Sequence, residues 1–143
     1  GGYTNHVVDM LRIAMQLKEL YGASPAVGRI ETVCNVDWDY VFTGIYLHDI
    51  GKQATYASLA PGMVKFRPDT KVDHNVSGCI LLSFVHSEVE PAYRLEYLDY
   101  QNLLYTIQFH DTLEKLYEHK RVEDKIISMC DGLDSALADV LAL

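Results

Sequence analysis

Apolar residues recur at intervals of three and four from Thr4 to Tyr21, through Val7, Leu11, Ala14, Leu17 and Tyr21, and this spacing predicts an amphipathic helix. Val8, Met10, Met15 and Leu20 flank the stripe, Thr4 or Asn5 is placed to cap the start, and Gly22 to end it. Residues 22–37 read as a connection. Asp37 then caps a helix from Trp38 to His48 whose interior, Trp38, Val41, Phe42, Ile45 and Leu47, is nearly all apolar, so this helix is expected at the centre of the core. From Gln53 to Asp73 the pattern dissolves: Pro61-Gly62 and Pro68 are turn signals, and Thr55-Tyr56 can pair with Val64-Lys65-Phe66 as a small hairpin. A helix follows from about His74 to Glu88, capped by Asp73 or Asn75, with Val76, Cys79, Ile80, Leu82, Phe84 and Val85 expected to bury at least one face. Ser77-Gly78 lets another segment approach closely. Pro91 breaks the chain, Tyr93 to Phe109 is helical again, and Val122 to Leu143 is the last helix, with Ile126, Ile127, Cys130, Leu133, Leu137 and Leu141 as its core stripe. The pattern predicts an all-α bundle of about five to seven helices with one long irregular loop.

A chain of 143 residues is long enough for one domain, 1–143, that buries about two-thirds of its unfolded surface. It begins with Gly rather than Met, which is compatible with a piece trimmed or excised from a longer chain. No apolar run approaches the length of a membrane span. Cys34, Cys79 and Cys130 are odd in number and widely spaced, a pattern expected of reduced thiols in a cytoplasmic protein, and Cys130 reads as a small buried apolar residue. Twenty acidic against 12 basic residues give a net charge of −8, which opposes long nucleic-acid backbones, and no long nucleic-acid-binding surface is evident. Small anionic nucleotides are the better expectation.

Against this background the histidines and aspartates stand out by their order: His6, His48-Asp49, His74, His110-Asp111 and Asp131. Neighbouring helical residues point about 100° apart, so His48 and Asp49 converge only on something small near a helix end. A helix C-terminus with Gly51 as the C′ residue is the plainer reading of that stretch taken alone. Buried at the end of the most apolar helix, however, an unpartnered carboxylate is costly, and a metal ion offsets that cost. Imidazole and carboxylate donors together suit Mn, Fe, Zn, Co or Ni. Lys52, Lys65, Arg67 and Lys71 cluster beside this stretch, either as a solvated loop or as a phosphate-binding one. His86 and His119 fall outside the ordered set and read as surface residues.

The order His, His-Asp, Asp, carried by His6, His48-Asp49 and Asp131, resembles the HD-domain superfamily of metal-dependent phosphohydrolases. Three local stretches, Gly1–His6, Leu47–Lys52 and Asp131–Ser135, look like the HD domain of the YhaM-type 3′→5′ exoribonucleases. The resemblance implies that His6, His48, Asp49 and Asp131 hold one divalent metal, and that Asp49 bridges to a second held by His74 and His110. It also implies a metal-activated water attacking phosphorus, with Asp49 and Lys52 as catalytic residues and Asp134 orienting a ligand histidine. Where several dinuclear relatives have a His-His doublet this chain has His110-Asp111. Asp111 is then either an oxygen ligand of the second site or a solvent-facing residue beside a one-metal site. A nucleotide or short oligonucleotide is the implied substrate, and a catalytically idle nucleotide-binding module is the alternative; the oligomeric state stays open.

Overall fold

The computed structural model describes residues 2–22, 36–52, 56–60, 63–66, 73–112 and 121–141. Among them are five α-helices: α1 (Gly2–Gly22), α2 (Trp38–Leu47), α3 (His74–Glu88), α4 (Tyr97–Phe109) and α5 (Val122–Leu141). The fold is all-α, and the one extended element among the described residues is the hairpin of β1 (Tyr56–Ala60) and β2 (Met63–Phe66), paired antiparallel with Tyr56 opposite Phe66. The chain divides into two compact units, Gly1–Ile45 with Asp111–Leu143, and Tyr46–His110.

In the first unit α1 packs along α5. The buried positions of α1 are Val7, Met10 and Ala14, so Met10, expected beside the stripe, is at its centre, while Leu11 and Leu17 are only half-buried. Thr4 and Asn5 lie inside the helix, because it begins at Gly2 and caps at neither. α2 starts where the pattern placed it: Asp37 Oδ1 accepts from the Tyr40 amide at 3.0 Å, satisfying one of the donors a helix start leaves open. The Asp37 amide donates to Glu123 Oε1 at 3.1 Å, and the Arg121 guanidinium lies 4.0 Å over the Tyr40 ring, so the starts of α2 and α5 are tied together. On α5 only Ile127 and Cys130 of the expected stripe are buried; Leu133, Leu137 and Leu141 are exposed. The burial pushes the Cys130 thiol up to about 11, helped by the charge of Asp131, so it is inert as the sequence suggests.

The second unit is built on an antiparallel α3–α4 pair. Asp73 caps α3 by accepting from the Asn75 amide at 2.6 Å. Along the pair Asn75 donates to the Gln108 carbonyl, the Cys79 thiol points at the Leu104 carbonyl, and Tyr100 donates to Ser83 Oγ. His86, expected at the surface, is half-buried and stacks on Tyr100 with ring centroids 4.1 Å apart; His119 lies outside the described residues. Of the apolar set expected inside α3 only Leu82 is buried, while Ile80, Phe84 and Val85 are exposed. Helix α4 starts later than its pattern suggests. Pro91–Tyr93 forms a 3-10 turn, and Arg94, in extended backbone, donates to the Ser87 and Val89 carbonyls, both at 2.8 Å. That guanidinium satisfies carbonyls the end of α3 leaves open, and the chain enters α4 only after it.

Candidate metal centre

Helix α2 ends at Leu47, and the chain tightens into two turns, with the Ile50 amide on the Leu47 carbonyl (3.2 Å) and the Lys52 amide on the Asp49 carbonyl (3.0 Å). These turns place His48 and Asp49 out of solvent, at 0% and 3% exposed. Gly51 is what lets the turn reach α3. A Cβ there would overlap the His74 carbonyl and sit 2.5 Å from the Gly78 amide nitrogen, and the Gly51 backbone is outside the left-handed region, so its need is close approach rather than a C′ conformation. Gly78 is matched to it: a Cβ there would be 2.8 Å from Ile107 Cγ2. Two glycines thus bring the turn, α3 and α4 together at one point.

On that point three imidazoles converge. His48 Nε2 is 3.3 Å from Asp49 Oδ2, while His74 Nε2 and His110 Nε2 are 3.5 and 3.4 Å from Asp49 Oδ1. Lys52 Nζ completes the ring at 2.9 Å from Oδ2. Burial opposes a charged Asp49, but the donors on His110, His48 and Lys52 outweigh it and hold the carboxyl well below the usual range. The ligand atoms of His48, Asp49 and His110 all lie within 4.8 Å of one another, as one cation requires. His110 Nδ1 faces the Ile107 carbonyl at 3.0 Å; as the donor there, it turns Nε2 toward Asp49, the arrangement usual for a metal-bound imidazole. An imidazole-rich set with one ionised carboxylate therefore fits a divalent transition metal.

The first unit carries a second constellation. His6 Nε2 is 2.9 Å from Asp131 Oδ1, and its Nδ1 is 2.6 Å from Asp134 Oδ2, one turn further along α5. The hydrogen bond to Asp131 is the largest influence; partial burial opposes it, Asp134 adds to it, and the imidazole is raised to about 9. A group whose folded pKa is raised stabilises the fold in full below its unfolded value near 6.5 and loses that contribution as pH rises through about 9. In chelator, the urea midpoint of the wild type should therefore fall between pH 6.5 and 9 more than that of His6→Gln. Parallel curves would show that His6 does not hold this proton.

Asp111 is exposed, with the Thr112 hydroxyl at 3.5 Å. Lys65 lies in β2 opposite Ala57, and Arg67 and Lys71 fall outside the described residues. Lys52, expected on phosphate, is ion-paired with Asp49 and partly open to solvent. Polar residues not read from the sequence as site candidates also lie buried: Asn75 on α3, named there only as a possible cap, and Glu123 and Asp124 on α5. Asp124 precedes Asp131 by seven positions, which sets both carboxylates on one helix face, and that spacing was the available signal.

An all-α domain with a buried His-Asp pair at a helix end and further histidines gathered on it defines a class of metal-binding helical domain. A family profile for the HD domain matches residues 3–136, and the chain belongs to that family. No curated protein and no solved structure matches it. HD domains bind divalent metals and are in general metal-dependent phosphohydrolases, with inactive members among them. No helix among the described residues is long and apolar enough to cross a membrane.

Proposed function

We propose that this domain hydrolyses phosphoester bonds in nucleotides or short oligonucleotides with the help of one or two bound divalent cations. The observation that carries this reading is the buried Asp49 carboxylate with three imidazole Nε2 atoms within 3.5 Å of it. His48, Asp49, His74 and His110 are the ligands this geometry supports, and His6 and Asp131 are assigned on the order of the motif. When bound, a divalent cation supplies Lewis acidity, lowering the pKa of a coordinated water and drawing charge from phosphoryl oxygens. The chain's own residues do the rest. His110 is oriented by the Ile107 carbonyl, Asp134 by its bond holds the ring of His6, and the partly exposed Lys52 ammonium is available to a phosphoryl oxygen on which charge develops.

Protein purified without chelator should contain metal and release phosphate from a panel of nucleotides and phosphodiesters. Dialysis against chelator should abolish turnover, and added Mn, Fe, Zn, Co or Ni should restore it. Two equivalents per chain direct the search to diesters and dinucleotides; one equivalent directs it to nucleotidase or triphosphohydrolase chemistry. A chain that holds no metal and turns over nothing would sink the proposal and favour the nucleotide-binding module. The finer reading, a YhaM-type 3′→5′ exonuclease, rests on the stretches Gly1–His6, Leu47–Lys52 and Asp131–Ser135. It requires steeply salt-dependent binding of single strands, and weak or salt-insensitive binding leaves small nucleotides as the substrate class.

A further inference from the structure

Helices α3 and α4 are nearly without charge. Residues 74–87 contain no Asp, Glu, Lys or Arg, and 97–110 contain only Asp99, in a chain of which 22% of residues are charged. A helix pair sealed on all sides would explain this, but the pair is not sealed. Ile80, Phe84 and Tyr97 are 59%, 64% and 73% exposed.

These residues share one flank. The two helices meet through Cys79 and Ser83 on α3 and Tyr100 and Leu104 on α4. In an antiparallel pair of right-handed helices, the positions one residue after the α3 contacts and those three before or one after the α4 contacts turn to the same side. That side carries Ile80 and Phe84 from α3, and Tyr97, Gln101 and Tyr105 from α4. It lies away from buried Leu82, Leu103 and Ile107. The ring of Tyr105 sits 4.7 Å from that of Phe109, and Gln101 donates to the Tyr97 hydroxyl at 2.8 Å, so the row is ordered by its own contacts.

We propose that this flank is the self-association surface of the protein, on which the α3–α4 pair of a second copy docks about a two-fold axis. Absence of charge selects the occupant. A cationic partner gains nothing from an uncharged face, and a nucleic-acid strand needs cations beside the aromatics, of which the flank has none. A second copy brings the same uncharged, aromatic surface, which is self-complementary as a two-fold interface must be. The chain's net charge of −8 does not prevent it, since the acidic residues of this region, Glu88, Glu90, Glu96 and Asp99, lie at or beyond the turn between the helices or off the flank. Two helices side by side, each roughly 10 Å wide and about 20 Å long, offer a face on the order of 400 Å² per copy in plan. That is the low end for a specific interface, so the dimer should be weak, with a Kd in the micromolar range.

Sedimentation velocity of the full chain from about 1 to 200 μM tests this. The wild type should pass from monomer to dimer across that range. Phe84→Glu combined with Tyr97→Glu should raise the Kd at least tenfold, while Val85→Glu, exposed on α3 but turned away from the flank, should leave it unchanged. If the aromatic variants fail to fold, Ser87→Lys with Gln101→Lys adds like charges at exposed polar positions without removing a ring, and should disperse the dimer with the helical circular dichroism intact. A wild type monomeric at 200 μM overturns the proposal. So does a dimer that survives both flank variants, or one that Val85→Glu disperses.

Discussion

Asp49→Ala should leave protein purified without chelator with less than one equivalent of metal and lower its hydrolytic turnover by at least about 10³-fold. The size follows from what meets at this one carboxylate. His48, His74 and His110 each approach it within 3.5 Å, and Lys52 within 2.9 Å. Removing it deletes the carboxylate that the ammonium and the three imidazoles share. The metal-free variant should lose on the order of 2 kcal/mol of stability, because a buried and multiply paired carboxylate is lost. Metal analysis, turnover and urea unfolding on the same preparation separate the effects. Turnover that survives with metal retained would show that Asp49 is not a ligand. Loss of turnover with metal retained would move Asp49 from ligand to a positioning role.

The second large effect is steric. Gly51→Ala should destabilise the protein by about 3 kcal/mol or more, because the added methyl would overlap the His74 carbonyl and press on the Gly78 backbone, and neither can swing aside as a side chain would. The strain acts at the start of α3, so His74 should also move away from Asp49. Gly132→Ala is the contrasting case. A Cβ at Gly132, in the middle of α5, meets nothing within 4 Å, and the change should stabilise by about 0.5–1 kcal/mol through helix propensity alone. Urea midpoints of the two variants should therefore move in opposite directions. A Gly51→Ala midpoint equal to the wild type would show that the turn does not approach α3 as closely as described.

Much of the helical framework could be read directly because its signals are local. Asp37 and Asp73 cap the helices they precede, Tyr56 pairs with Phe66 in the expected hairpin, and α2 ends one residue before His48. Burial was read less well. Periodicity identifies an apolar face but not whether a neighbour covers it, and Ile80, Phe84, Leu133 and Leu137 all lie on expected core faces yet are exposed. Met10 shows the converse, fully buried although its stripe was centred elsewhere. The break before α4 was legible at Pro91, but its length was hidden, since helix entry at Tyr97 rather than Tyr93 depends on Arg94 reaching back to carbonyls five and seven residues earlier.

Propensity, capping and motif order act over a few residues or in simple succession, and they carry the all-α class, the helix starts at Asp37 and Asp73, and the ordered histidines and aspartates that mark the HD family. Packing between distant segments is what brings His48, His74 and His110 onto Asp49, sets Asp131 and Asp134 on opposite nitrogens of His6, and gives Gly51 a role in close packing rather than at a helix end. Those are contacts between segments from 25 to 128 residues apart, or meeting points of backbones, and no local pattern encodes which of several apolar faces packs on which.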